Sequence, residues 1–115
     1  MSPPVNAHDA YHAHLYFGPE TAAQARTLAA RAAGQFAVQV GRFHERPVGP
    51  HPQWSCQLAF GRGEFERLIP WLEAHRGDID VLVHGLSGDD LADHTRHAFW
   101  LGKEWPLDLS IFRPR

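Results

Sequence analysis

The stretch Tyr11-His12-Ala13-His14-Leu15-Tyr16-Phe17 alternates without a break: Tyr11, Ala13, Leu15 and Phe17 fall on one side, His12, His14 and Tyr16 on the other. A period of two is the mark of a β-strand, so the segment predicts a strand with one apolar face and one histidine face. Outward from it toward the C-terminus, Gly18-Pro19 breaks the pattern. Ala22, Ala25, Leu28, Ala29 and Ala32 then recur at helical spacing up to Gly34, which suits a C-terminal cap. Toward the N-terminus, Pro3, Pro4 and Asn6 predict an extended arm over residues 1–10.

Phe36, Val38 and Val40 alternate in a second predicted strand from Phe36 to Phe43. Three prolines and a glycine make Arg46-Pro47-Val48-Gly49-Pro50-His51-Pro52 a stiff loop. Trp54, Cys56, Leu58 and Phe60 mark strand three, and Phe65, Leu68, Ile69 and Leu72 the apolar face of a second helix, in which Pro70 predicts a kink or a later start. Ile79 to His84 reads as strand four. Ser87-Gly88-Asp89-Asp90 resembles a capping box, with Ser87 as N-cap of a third helix ending near Gly102, and Leu107, Leu109 and Ile111 suggest a short edge strand.

The order strand, helix, strand, strand, helix, strand predicts an α+β fold, a ferredoxin-like βαββαβ sandwich with an extra C-terminal helix and an edge strand. Helices would cover one sheet face and leave the other to a partner subunit or a pocket. Strands one and three are neighbours in this topology, so the uncovered face should carry His12, His14 and Tyr16 beside Ser55 and Gln57.

With 115 residues, 43% hydrophobic and 21% charged, the chain has the size of one domain over 1–115 and can bury a core without disulfides. Its formal charge of -2 lacks the basic surplus that draws in a phosphate backbone, so nucleic acid is not an expected partner. No apolar run reaches the roughly 18 residues of a membrane span, and the first ten residues do not read as a secretion signal. The single cysteine, Cys56, can form no intramolecular bridge, which fits a reducing, cytoplasmic setting; on the apolar side of strand three it should pack rather than react. Gly-x-Ser-x-Gly, P-loop, dinucleotide-binding and His-Glu-x-x-His signatures are absent.

Nine histidines are the outlier of the composition. His12 and His14 point the same way from one strand, with Cβ atoms about 6 to 7 Å apart, and can either share a metal or sit as a solvated pair. His84 ends a strand and precedes Gly85, a place where a side chain can face a pocket or simply cap the strand. Pro50 and Pro52 fix the backbone of His51, which suits a preorganised site as well as a rigid surface loop. On the predicted third helix, His94 shares a face with Leu91, Ala98 and Leu101 and points inward as a core or site residue, whereas His97 should pair with Asp93 at the surface. His8, His44 and His75 read as solvent-facing.

Tyr11-His12-Ala13-His14-Leu15-Tyr16-Phe17, Val48-Gly49-Pro50-His51-Pro52, Val81-Leu82-Val83-His84, and Gly88-Asp89-Asp90-Leu91-Ala92-Asp93-His94-Thr95 with Trp100-Leu101-Gly102 together resemble the DOPA 4,5-dioxygenase family, from about Tyr11 to Ile111. The resemblance implies extradiol cleavage of a catechol by O2 at a non-haem Fe(II), on a ferredoxin-like fold in a homodimer. The family's motif histidines fall on His12, His14, His51, His84 and His94. Gly85 stands where the family usually has proline and Ser87 where it usually has threonine, which bears on the loop carrying His84 and on substrate fit.

The usual iron site of this chemistry is two histidines and a carboxylate. Here only Asp89, Asp90 and Asp93 lie among the motif histidines, and the first two are expected at a helix N-terminus, where their charge is favourable. The expected ligands are therefore His12, His14 and His84, with His51 or His94 as general base and acid. Fe(II) is the expected cofactor, with zinc or another divalent ion able to replace it in a purified sample. Metal retention should fall below about pH 6.5, where free imidazole protonates. The alternative is a non-catalytic metal- or small-molecule-binding ferredoxin-like dimer.

Overall fold

The computed structural model describes residues 4–112. The elements, in chain order, are β1 (Ala10–Phe17), α1 (Ala22–Gln35), β2 (Gln39–His44), β3 (Trp54–Gly61), α2 (Arg62–His75), β4 (Asp80–Gly85), α3 (Asp90–Asp93), β5 (Ala98–Leu101) and a final 3-10 turn, Leu109–Phe112. The five strands form one antiparallel sheet in the order β2-β3-β1-β4-β5. The first four keep the ferredoxin-like arrangement, and β5 extends it at one edge.

Alternation decides what each face of the sheet holds. Tyr11, Ala13, Leu15 and Phe17 of β1, Cys56, Leu58 and Phe60 of β3, and Val81 and Val83 of β4 join Ala25, Leu28, Ala29 and Ala32 of α1 and Phe65, Leu68, Ile69 and Leu72 of α2 in one buried core. The opposite parity builds the second face: His14 faces Gln57 and Tyr16 faces Ser55 across β1 and β3, and His12 faces His84 across β1 and β4. Pro50 and His51 of the β2–β3 loop, Leu86, Asp90 and His94 beyond β4, and Phe112 border this face as a pocket.

Several boundaries differ from the sequence reading. The third helix is a single turn over Asp90–Asp93, not a helix reaching Gly102, and its N-cap is Asp89, whose side chain accepts from the Ala92 amide, instead of Ser87. Residues 98–101 pair with β4 in place of continuing the helix: Phe99 and Leu101 lie opposite Val83 and Val81, Ala98 and Trp100 opposite His84 and Leu82. Leu91 is consequently exposed and shares no inward face with Leu101. The edge strand is thus β5, while Leu109 and Ile111 fall in the 3-10 turn.

Gly34 lies inside α1, which ends at Gln35 with Phe36 as its cap; the Phe36 amide bonds Ala32 and its ring packs on Trp71, so strand pairing begins only at Gln39. Pro70 neither delays nor ends α2, because it lies on the exposed side, as does Glu66, whose carbonyl it leaves without a helical donor. Among the described residues, no helix is long and apolar enough to cross a membrane.

Candidate metal centre

β1 is the middle strand of the sheet, and its alternation sends the His12 and His14 side chains to the same face. The register with β4 places His84 opposite His12 and one step diagonal from His14. The result is a cluster in which one ring nitrogen from each of His12, His14 and His84 lies within 4.8 Å of the other two. His14 Nε2 and His84 Nε2 are 3.0 Å apart. His84 Nδ1 lies 2.9 Å from the Gly85 carbonyl, which can only accept, so the proton sits on Nδ1 and the Nε2 lone pair faces His14. Apposed imidazole nitrogens with one tautomer fixed by a backbone carbonyl are a donor set that fits a divalent metal ion.

Two further histidines flank the cluster. His51 is placed by a turn in which its amide bonds Val48 and Gly49 takes a φ of 55°, and its Nδ1 lies 2.7 Å from the Tyr16 hydroxyl. Its ring centroid is 4.2 Å from that of His14. His94 follows α3, gives its Nδ1 proton to the Asp90 carbonyl at 2.8 Å, and lies 4.2 Å from the His84 ring and stacked on Phe112. All five histidines line one cavity of about 270 Å3 with Gln57, Asp90, Leu86 and Phe112. That volume is near the lower end of small-molecule sites, which run from roughly 300 to 1,000 Å3.

Burial sets the protonation of these rings. Desolvation, aided by the neighbouring histidines, holds His14 well below the ordinary imidazole value. Desolvation followed by the His94 and His84 rings lowers His51 to about 4. His84 also falls to about 4, chiefly by desolvation, although the Gly85 carbonyl pulls upward. His12, half-buried, is lowered by desolvation and then by His94. Each of the four is therefore neutral at pH 7, the form that ligates metal.

Two of the three nearby carboxylates are engaged away from the cluster. Asp89 caps α3, and the buried Asp93 side chain takes the Ser87 amide, the Ser87 hydroxyl and His97 Nδ1. Burial pushes the Asp93 carboxyl up, but the two Ser87 donors and His97 outweigh it and hold the group below its usual range. Asp90 lines the cavity rim.

Of the remaining histidines, His75 is exposed and stacks on Trp71, as expected of a surface residue. His97 does meet Asp93, but the carboxylate is only 2% exposed, so the pair is not a surface one. His8 is half-buried against Tyr11 and His97, and His44 lines a small cavity of about 100 Å3 that also touches His14 and His51, so neither is simply solvent-facing. Tyr16 as partner of His51, Phe112 as support for His94, and Asp93 as a buried anion went unpredicted. Tyr16 left a sequence signal in its parity with His12 and His14, and Asp93 in its helical spacing to His97, which did not reveal its burial; Phe112 left none.

A model of the Dopa 4,5-dioxygenase family matches residues 11–111. The chain is 32% identical over 109 residues to DOPA 4,5-dioxygenase of Amanita muscaria, covering 87% of this chain and 48% of that protein. It is 36% identical over 116 residues to an uncharacterized 21.2 kDa protein of Botryotinia fuckeliana, covering 93% and 63%. The chain thus spans about half to two thirds of the length of these curated relatives. A crystal structure from Nostoc punctiforme, described as that of a candidate dioxygenase, superimposes with a TM-score of 0.78 at 35% identity, covering 93% of this chain and 92% of that one.

Proposed function

The chain belongs to the Dopa 4,5-dioxygenase family, and from that premise we propose that it is an extradiol dioxygenase that opens the ring of a catechol with O2, using iron(II) held by His12, His14 and His84. The observation that carries the reading is the convergence of all five motif histidines on one cavity, with His14 Nε2 and His84 Nε2 only 3.0 Å apart. Iron(II), if held by the neutral imidazoles of His12, His14 and His84, would supply the redox and Lewis-acid chemistry that joins a catechol to O2, with both oxygen atoms of O2 entering the ring-opened product.

The protein's own groups carry the proton. His94 Nδ1 donates to Asp90, so Nε2 keeps its lone pair and can take a proton from a catechol hydroxyl. His51 is neutral at pH 7 and is held through Nδ1 by the Tyr16 hydroxyl, which fixes its ring beside His14 for the return of a proton as the ring opens. Leu86, Pro50 and Phe112 supply apolar walls that limit water around a bound ring.

Anaerobic loading with Fe(II), addition of DOPA, caffeate or simple catechol, and then admission of air tests the proposal. Oxygen uptake with a yellow ring-cleavage product is the expected result. Catechol bound with no oxygen uptake from any of the three would overturn it in favour of a non-catalytic binding domain.

A further inference from the structure

β4 ends at Gly85, and the turn behind it decides where His84 points, because the Gly85 carbonyl receives the His84 Nδ1 proton. That turn is fastened at both ends. The Gly85 amide donates to the His97 carbonyl at 3.2 Å, and the Leu86 amide to Ala10 on β1 at 3.0 Å. Ser87 donates twice to Asp93, from its amide at 2.9 Å and its hydroxyl at 2.7 Å, while His97 Nδ1 lies 3.0 Å from the same carboxylate. Helix capping does not account for Asp93, since Asp89 fills that role, and a carboxylate 2% exposed is retained only where its partners hold it.

We propose that Asp93 is a positioning residue of the metal centre: its carboxylate latches the Gly85–Ser87 turn to α3, so that the His84 ring is held in one tautomer with Nε2 beside His14, and His94 is carried on the same latch. The inference rests on reading His12, His14 and His84 as metal ligands. Partners that orient a ligating histidine from behind are worth about 10- to 100-fold in metal affinity.

The test titrates metal-free protein with Co(II) at pH 7.5, followed by its visible absorption, and records the 15N shifts of the His84 ring before metal is added. The variants are Asp93→Asn, Ser87→Ala and, as a destabilised core control, Leu28→Ala. Asp93→Asn should weaken Co(II) at least tenfold and Ser87→Ala by a smaller factor, with His84 passing from one Nδ1-protonated tautomer to a mixture. Leu28→Ala should keep both readouts at wild type.

Asp93→Asn within twofold of wild type, or Leu28→Ala losing as much affinity as it does, would overturn the latch. If Asp93→Asn does not fold, Ser87→Ala decides: unchanged affinity and tautomer overturn the proposal. A wild-type protein that binds no Co(II) would refute the metal reading instead, and the metal-free tautomer would still decide the latch.

Discussion

For a single imidazole, burial penalises the protonated form, so its effect on stability has a definite sign. His51 and His84 hold a proton less readily in the folded chain, at about 4, than in the unfolded chain, near 6.5. Between those values the unfolded state binds protons that the native state refuses, so stability rises with pH there. Metal-free protein should be fully stable above about pH 6.5 and lose stability as pH falls toward 4, each ring accounting for up to about 3 kcal/mol. Urea midpoints at pH 7.5, 6, 5 and 4.5 check this, and a midpoint independent of pH would contradict it. Roles are separable by truncation: His12→Ala or His84→Ala should leave no iron on the chain, whereas His94→Ala should keep iron but turn over about 100- to 10,000-fold more slowly. Iron per chain and oxygen uptake read the two effects, and normal iron in both ligand variants would sink the assignment.

Among the elements, β1 was legible because the seven residues from Tyr11 to Phe17 alternate without a break, and the same parity located His12, His14 and Tyr16 on one face. The segment after Asp93 was not. Leu91, His94, Ala98 and Leu101 satisfy a helical period, yet Ala98 to Leu101 also satisfy a period of two, and four residues cannot arbitrate between them. What settled the matter is long-range: β4 offers a free edge, and Phe99 and Leu101 gain core contact only by pairing with it. Likewise the reach of His51 to Tyr16 and of Phe112 to His94 depends on loop closure that no local pattern encodes. Gly85 yields a prediction here. A Cβ at that position would run into the His8 ring, so Gly85→Ala should displace either the N-terminal arm or the turn behind His84 and lower metal affinity. The double variant Gly85→Ala with His8→Ala should recover most of the loss, as read by Co(II) titration; no recovery would place the harm in the turn itself.

For the whole molecule, the pocket is closed by segments distant in sequence. The Asp108 amide bonds Pro50 beside His51, and Phe112 stacks on His94, so the C-terminal segment ties the two loop histidines together. The 3-10 turn that carries Phe112 has no buried residue, which makes it thermally dispensable. A chain ending at Asp108 should therefore melt within a few degrees of the full chain, on the order of 1 kcal/mol, yet show a raised KM for catechol in oxygen-uptake assays. An unchanged KM would deny Phe112 a part in the site. Finally, β1 lies between β3 and β4 with pairing partners along both sides. Its backbone amides should exchange with solvent only when the entire sheet opens, whereas the amides of the loops bearing His51 and His94 should exchange by small local excursions. Two clocks follow for one cavity: the His12 and His14 frame persists as long as the fold does, while the roof can open and close many times in that interval to let small molecules in and out.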